Sequence, residues 1–421
     1  MANTFANVET KAAWVAMKGL KMLTNGLHVA PYFDTQYSGE YAQKFAIGRT
    51  MHVPLSQRYR PQQNDWTYTP TGFDRPTTTI TIDQSRHQFI EWESMEKALD
   101  MERGEENVER IYLQPAVSYH RQEIDKYCAE FAAQNANMVV GSLGTNGSTL
   151  DATSAAAKQA LEQMSGMPDE GGEVGLCLPP AVMRSIKTSN IGYFNPAPDL
   201  SKTWRTGNVG YADGMDFYSS NSLYRHTAGT WAGTVSVNGA SQSGSSLNIN
   251  CTSGDTFKKG DKFTIANVNE VNQMSRIITT SSAAGTKYFT ITEDLTADAS
   301  TETLSIYPSI YGPSSNYQNV DALPANSAAL TLWTGTSSPN GKTGKLGLAL
   351  APGGFFLASV KLEEPTAVEF CKQFQDPKTG IALRVIRQWD NIQSRMTTRM
   401  DDVFGCGRAL TEQAAVVIAC A

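Results

Sequence analysis

TVSVNG (234–239), SLNIN (246–250), KFTIA (262–266), SRIIT (275–279), YFTIT (288–292) and LSIY (304–307) follow one another within residues 227–336. In each run apolar and polar side chains alternate, the two-residue period of a strand with one buried face, and Ser-, Thr- and Gly-rich turns separate the runs. This spacing predicts a small all-β barrel or sandwich. Residues 138–226 and 337–421 on either side mix short strands with short helices, so they read as two parts of one α+β region interrupted by the β segment.

Toward the N-terminus lies the longest helical pattern. From Glu106 to Ala136, Leu113, Val117, Ile124, Cys128 and Phe131 fall on one helical face. At about 1.5 Å per residue such a helix spans roughly 46 Å, and Pro115 marks its true start or a kink. Before it, HQFIEWESMEKALDM (87–101) reads as a strand running into a helix that Ser94 caps, with Met95 and Leu99 four apart. Strands are also expected at Arg49–Leu55, with Pro54 indicating an edge, and at Thr78–Asp83, where Ile80 and Ile82 alternate with Thr.

Between those two strands, SQRYRPQQNDWTYTPTGFDRPT (56–77) fits neither helix nor strand. A monomer gains little by exposing Tyr59, Trp66, Tyr68 and Phe73 together, whereas an arm laid on a neighbouring subunit buries them there. The segment therefore reads as a projecting hairpin arm, with a loop folded on its own domain as the alternative. Residues 8–24, with Val8, Ala12, Val15 and Met22 at helical spacing and Asn25-Gly26 as a C-cap, read as an amphipathic helix.

Composition narrows the function. With 35 Lys+Arg against 41 Asp+Glu the formal charge is −6, unlike a dedicated reader of nucleic acid. Cys128, Cys177, Cys251, Cys371, Cys406 and Cys420 are scattered without metal-ligand spacing, consistent with a reducing cytoplasm. MANTFANVET lacks the pattern of a secretion signal, and no apolar stretch is long enough to span a bilayer, so no membrane partner is expected.

The search for chemistry returns no catalytic, cofactor-binding or metal-binding residues. His28, His52, His87, His120 and His226 are far apart in the chain, and no nucleophile elbow is present. GTSSPNGKT (335–343) imitates a phosphate-binding loop, but five residues rather than four separate Gly335 from Gly341, and GKLGLALAPGG is poor helix. The carboxylates of MERGEENVER (101–110) read as a solvated face at a helix start.

Several stretches together resemble the major capsid (coat) proteins of tailed double-stranded-DNA bacteriophages, the Hong Kong ninety-seven type fold shared with encapsulin nanocompartments. ITIDQSRHQFIEWESMEKAL (80–99) resembles the strand leading into that family's spine region. WRTGNVGYADGMDFYSSNSL (204–223) is similar to its run of Gly turn, Gly-apolar strand and Ser-Asn-apolar end. KKGDKFTIANVNEVN (258–272) resembles the Gly-Asp opening of a strand in the inserted β domain of short-tailed enterobacterial phage coat proteins. LGLALAPGGFFLASVKLEEP (346–365) and IALRVIRQWDNIQSRMTTRMDDVFGCGRAL (381–410) resemble the family's last strands.

The resemblance implies an α+β fold divided as an N-terminal arm (1–45), an extended loop (46–80), a peripheral domain with a spine helix (81–137), a first part of the axial domain (138–226), an inserted β-barrel (227–336), and the remaining peripheral and axial elements (337–421). It also implies a structural, non-enzymatic subunit that self-assembles into pentamers and hexamers of an icosahedral head around double-stranded DNA. The expected partners are its own copies, a scaffolding protein, a portal at one vertex, DNA through weak non-specific contact, and a decoration protein; the expected location is the virion, assembled in the host cytoplasm. Inter-subunit contacts are expected at Arg58, Tyr59, Arg60, Trp66, Tyr68, Glu91, Glu93 and Glu96, with the arginines meeting the acidic residues of a neighbour. Arg110, Arg121 and Lys126 are candidates to face the genome. No motif fixes the Lys–Asn pair with which some of these shells weld themselves, so Lys97, Lys126 and Lys372 are not assigned that role. On the residues alone, an encapsulin-like compartment subunit and a β-rich glycan-binding adhesive protein stay open as alternatives.

Overall fold

The computed structural model describes Met17, Gly19, Leu23 and residues 27–35, 50–55, 76–93, 114–144, 155–164, 174–189, 210–231 except 213, 235–279, 286–333, 341–392 except 367, 377 and 378, 395–409, and 411–420. The chain forms two compact units: Met1–Val53, Thr78–Cys128 and Phe355–Arg408 make the first, and Pro54–Thr77, Ala129–Gly354 and Ala409–Ala421 the second.

The first unit is a sheet built around one long strand, Arg395–Arg408. On one side its full length is covered by two consecutive strands, Thr77–Thr81 and Gln84–Glu93, and on the other by Phe355–Ser359 and Ala382–Asp390. Thr50–Pro54 and Phe370–Gln375 extend the edges. Gly405 is required by a close approach, because a Cβ there would stand 2.1 Å from the Thr81 carbonyl oxygen. The helix Gln114–Asn135, as far as Cys128, packs on one face through Tyr127 against Phe404, ring centroids 5.5 Å apart, with Val117 and Ile124 buried. Pro115 is the second residue of this helix, where its missing N–H leaves no intrahelical bond unmade. Residues 106–113 of the expected helix lie outside the described residues, so the described part spans roughly 33 Å at about 1.5 Å per residue.

The second unit holds a mixed sheet and a barrel. In the sheet, Thr343–Leu350 lies between Ala415–Ala419 and Val174–Leu178, with Met138–Val140 and Met215–Ser219 paired parallel outside them. VGLCL and AVVIA are apolar throughout and buried throughout, as strands covered on both faces must be. The helices Ala156–Gln163 and Pro180–Ser189 contribute Leu161, Val182 and Ile186 to a core with Leu176, Val416 and Ile418.

The barrel order is Leu330–Leu332, Lys262–Asn269, Thr286–Ile291, Thr301–Ile310, Gly244–Asn250, Ser236–Val237. The ends meet: the Leu330 N–H donates to the Val235 carbonyl at 2.9 Å and the Val237 N–H to the Ala328 carbonyl at 2.9 Å, closing the sheet on itself. Phe263, Ile265, Phe289, Ile291, Leu304 and Ile306 alternate inward. The strands leading in and out, Arg225–Thr227 and Thr343–Leu350, pair with each other, so the barrel leaves and rejoins the mixed sheet at one place.

One expected strand is absent from the barrel. SRIIT (275–279) is a turn with Ile277 and Ile278 exposed, and Leu330–Leu332 supplies a strand instead. Asn272 captures the N–H groups of Met274 and Ser275 with its side chain, and Arg276 takes a left-handed backbone with φ of 57°, so local turn chemistry overrides β propensity. Thr343 opens a strand rather than a helix, which removes the geometry a phosphate-binding loop needs.

Candidate functional site

Among the described residues no group of three or more His, Cys, Asp or Glu side chains is placed to hold a metal. The notable chemistry is charge buried where it fixes one element to another. In the first unit, Asp125 interrupts the apolar face of the long helix and accepts the backbone N–H groups of His28, Val29 and Ala30 at 2.8, 3.2 and 3.2 Å. It thereby holds the start of the short turn Ala30–Tyr32. Burial raises its pKa, and the three N–H donors hold part of that rise back.

One turn earlier, His120 Nε2 lies 3.0 Å from Asp402 Oδ1, both side chains buried. Neither atom has an aligned hydrogen bond, so this is a close polar approach without the directional part. Cys128 and Cys406 bring their sulfurs to 4.0 Å. The contact with Cys406 and burial push the Cys128 thiol well above its ordinary pKa, which makes the thiol an inert packing group rather than a nucleophile.

In the second unit the Gly-Asp-Lys triple 260–262 organises the barrel's first contact with its surroundings. Gly260 has φ of 91°, and a Cβ there would press on Gln134 at 3.3 Å and on the His226 ring. Asp261 accepts from His226 Nε2 at 2.7 Å and from the backbone N–H groups of Gly229 and Lys258 at 2.9 and 3.0 Å. Lys262 is fully buried and donates to the carbonyls of Ala133, at 2.9 Å, and Ala136, and to Thr290 Oγ1 at 3.3 Å. Those carbonyls end the long helix, where the macrodipole is negative. All three acceptors are neutral. Burial lowers the Lys262 pKa to about 7, the neighbouring Asp261 charge opposing the fall.

Lys287 is equally buried but meets carboxylates, Glu412 Oε2 at 3.1 Å and Glu270 Oε1 at 3.2 Å. Gln273 Nε2 at 2.6 Å and Asn319 Nδ2 at 3.4 Å also donate to Glu412 Oε2, and Asn272 Nδ2 donates to the Gln163 carbonyl at 2.7 Å. Burial pulls the Lys287 ammonium down; the two carboxylates more than offset it, and its pKa ends above the ordinary lysine value. The barrel is thus pinned to the short helix Thr411–Ala414 and to the end of Ala156–Gln163.

Of the residues singled out in the sequence, Arg58, Tyr59, Arg60, Trp66, Tyr68, Glu96 and Arg110 lie outside the described residues, as does most of the helix expected over 8–24. Glu91 is exposed on the sheet face that also carries Phe89, and Arg395 Nη1 donates to it at 2.5 Å. Glu93 sits opposite Arg395 in the same ladder. Arg121 is half-buried on the long helix, and Lys126 is exposed with Glu123 3.8 Å away. Reading the sequence missed both buried lysines. Their strand positions were visible, but Ala133, Ala136 and Glu412, the partners outside the barrel, lie 125 to 129 residues away in the chain.

The P22 coat protein family (P22 coat protein, gene protein 5) matches residues 88–340, well over half of the chain. No curated protein matches. Among solved structures, the chain is similar to a protein of Mycobacterium phage Che8 at 11% identity and TM-score 0.45, covering 93% of this chain and 90% of that one. It is similar to a chain in the capsid structure of Cyanophage P-SCSP1u at 12% identity and TM-score 0.41, covering 89% and 84%. A chain in the capsid of Ralstonia phage GP4 stands at 8% identity and TM-score 0.42, covering 91% and 85%. Those scores are too low to carry weight beside the family match. On that match the chain belongs to the P22 coat protein family, and it is a major capsid protein, a structural subunit of an icosahedral shell and not an enzyme.

Proposed function

We propose that this coat subunit assembles as closed rings of five and six, with the axial elements within 138–226 and 337–421 lining the ring axes and the 56–77 arm laid over the next subunit. The observation that carries this is the family match over 88–340, joined to a barrel whose two ends pair at its base like an inserted domain. Rings of identical subunits close by symmetry, and many weak contacts sum to a stable shell while allowing misplaced subunits to leave. A scaffolding protein, a portal at one vertex, a decoration protein and packaged double-stranded DNA complete the assembly in the host cytoplasm.

Arg58 and Arg60 of the arm meet Glu91, Glu93 and Glu96 of the adjacent subunit. Glu91 already takes Arg395, but a carboxylate has about four lone-pair sites and accepts a second guanidinium. Arg110, Arg121 and Lys126 face the genome with low affinity, in keeping with an acidic chain from which DNA must slide freely. Electron cryomicroscopy of shells tests the arrangement. Rings of five and six with the 56–77 segment on a neighbour are expected, and Arg60→Glu should impair closure; that segment folded on its own subunit, or normal shells from Arg60→Glu, would overturn it.

A further inference from the structure

We infer that Cys128 and Cys406 form a disulfide site, kept as thiols in a reducing cytoplasm and joined by peroxide outside it, which locks the long helix to the long strand. Their sulfurs already touch at 4.0 Å, and a bond of about 2.05 Å requires each to move roughly 1 Å. Cys251 and Cys420 turn their sulfurs to the carbonyls of Ala299 and Ile418 instead. The bond needs only the folded first unit, so it stands or falls apart from the coat-subunit reading.

The two backbones are held at bridging distance by their neighbours. Asp402, Phe404 and Cys406 alternate onto one face of the strand, and His120, Tyr127 and Cys128 fall on one face of the helix. His120 meets Asp402 at 3.0 Å, and Tyr127 packs edge-on against Phe404. From 120 to 128 the helix rises about 12 Å, and from 402 to 406 the strand advances about 13 Å, so the two elements run in step. The strand is also paired on both sides here, Cys406 with Leu357 and Gly407 with Ile80. Closing the bond therefore falls to side-chain rotation.

Cys406 is 5% exposed and Cys128 0%, so a soluble oxidant reaches Cys406. Hydrogen peroxide transfers one oxygen to the Cys406 sulfur, giving a sulfenic acid and one water. The Cys128 sulfur then attacks that sulfur, the S–O bond breaks, and the oxygen leaves with the Cys128 proton as a second water. Each sulfur loses one electron, and both peroxide oxygens are reduced. Cys128 stays inert to reagents in solution, because the Cys406 contact and burial hold its pKa up. An electrophile in contact with it offsets a small thiolate fraction, through an effective concentration that no soluble partner reaches. The bridge joins residues 278 positions apart, and the loop it closes contains all of Ala129–Gly354. Closing so long a loop removes freedom from the unfolded chain and stabilises the first unit.

Hydrogen peroxide added to the purified, folded full-length chain gives the test, read by thiol counting after denaturing alkylation and by peptide mapping without reductant. Two of the six thiols should disappear, a linked Cys128–Cys406 peptide should appear, and dithiothreitol should reverse both. The unfolding midpoint should rise by about 5 °C or more, and Cys128→Ala treated alongside should show no rise. Six surviving thiols, linkage through other cysteines, or sulfinic acid at Cys406 with Cys128 still a thiol would overturn the inference. So would a bridge that leaves the midpoint unchanged, or an equal rise in Cys128→Ala.

Discussion

Lys262 and Lys287 stand in the same barrel, both without measurable exposure, and their pKa values move in opposite directions. Lys262 faces carbonyls and a hydroxyl; Lys287 faces two carboxylates. Neutral acceptors satisfy the donors of an ammonium group but do not replace its lost hydration, whereas opposite charges at about 3 Å do. Depth alone does not set the state of a buried lysine. The Lys287 side is a permanent ionic lock, and the Lys262 side is a helix cap that carries its proton only in part near neutral pH.

The largest effect is expected from Lys287→Met, which leaves the half-buried Glu412 and Glu270 without a cation and should destabilise the second unit by up to about 3 kcal/mol, the lower end for a broken buried pair. Urea unfolding followed through the buried Trp231 and Trp333 measures it. Adding Glu412→Gln and Glu270→Gln should return most of the loss, since removing a whole buried cluster is far milder than breaking it. If the single and triple variants are equally unstable, the comparison fails. Next comes Lys262→Met, which strands no buried anion but leaves the Ala133 and Ala136 carbonyls unpaired, for about 1–3 kcal/mol at neutral pH.

The pH dependence sharpens the same contrast. Between about 7 and 10.5 the unfolded chain holds a proton on Lys262 that the folded chain releases, so this residue makes stability rise with pH across that window and fall as pH drops through it. Subtracting the Lys262→Met curve from the wild-type curve should isolate that rise. Lys287, with its pKa raised, contributes stability that is complete below 10.5 and lost above it, so Lys287→Met should leave the slope between 7 and 10.5 in place. The smallest effect is expected at the surface: Lys126→Ala loosens only the exposed pair with Glu123 and should stay within about 0.5 kcal/mol in the same unfolding assay.

What the sequence disclosed follows the range of the forces involved. Alternation in KFTIA and YFTIT marked strands, because a period of two is a local property, and it failed at SRIIT, where one asparagine side chain decided the turn. Leu330–Leu332 carries too few residues to show a period. The long helix was legible from Val117, Ile124 and Cys128, but His120 and Asp125 on its buried side read as ordinary polar residues until their distant partners were in place. Gly260, Asp261 and Lys262 belonged to a motif seen in the sequence; the His226 contact of Asp261 and the burial of Lys262 against the helix end did not follow from it.

Sedimentation velocity on the purified full-length chain, with and without a scaffolding protein and with electron microscopy of the fast fraction, bears most directly on whether this polypeptide exists to contact copies of itself. Closed particles of uniform size are expected to form. Single chains under every condition, at concentrations where the barrel is folded, would contradict the account.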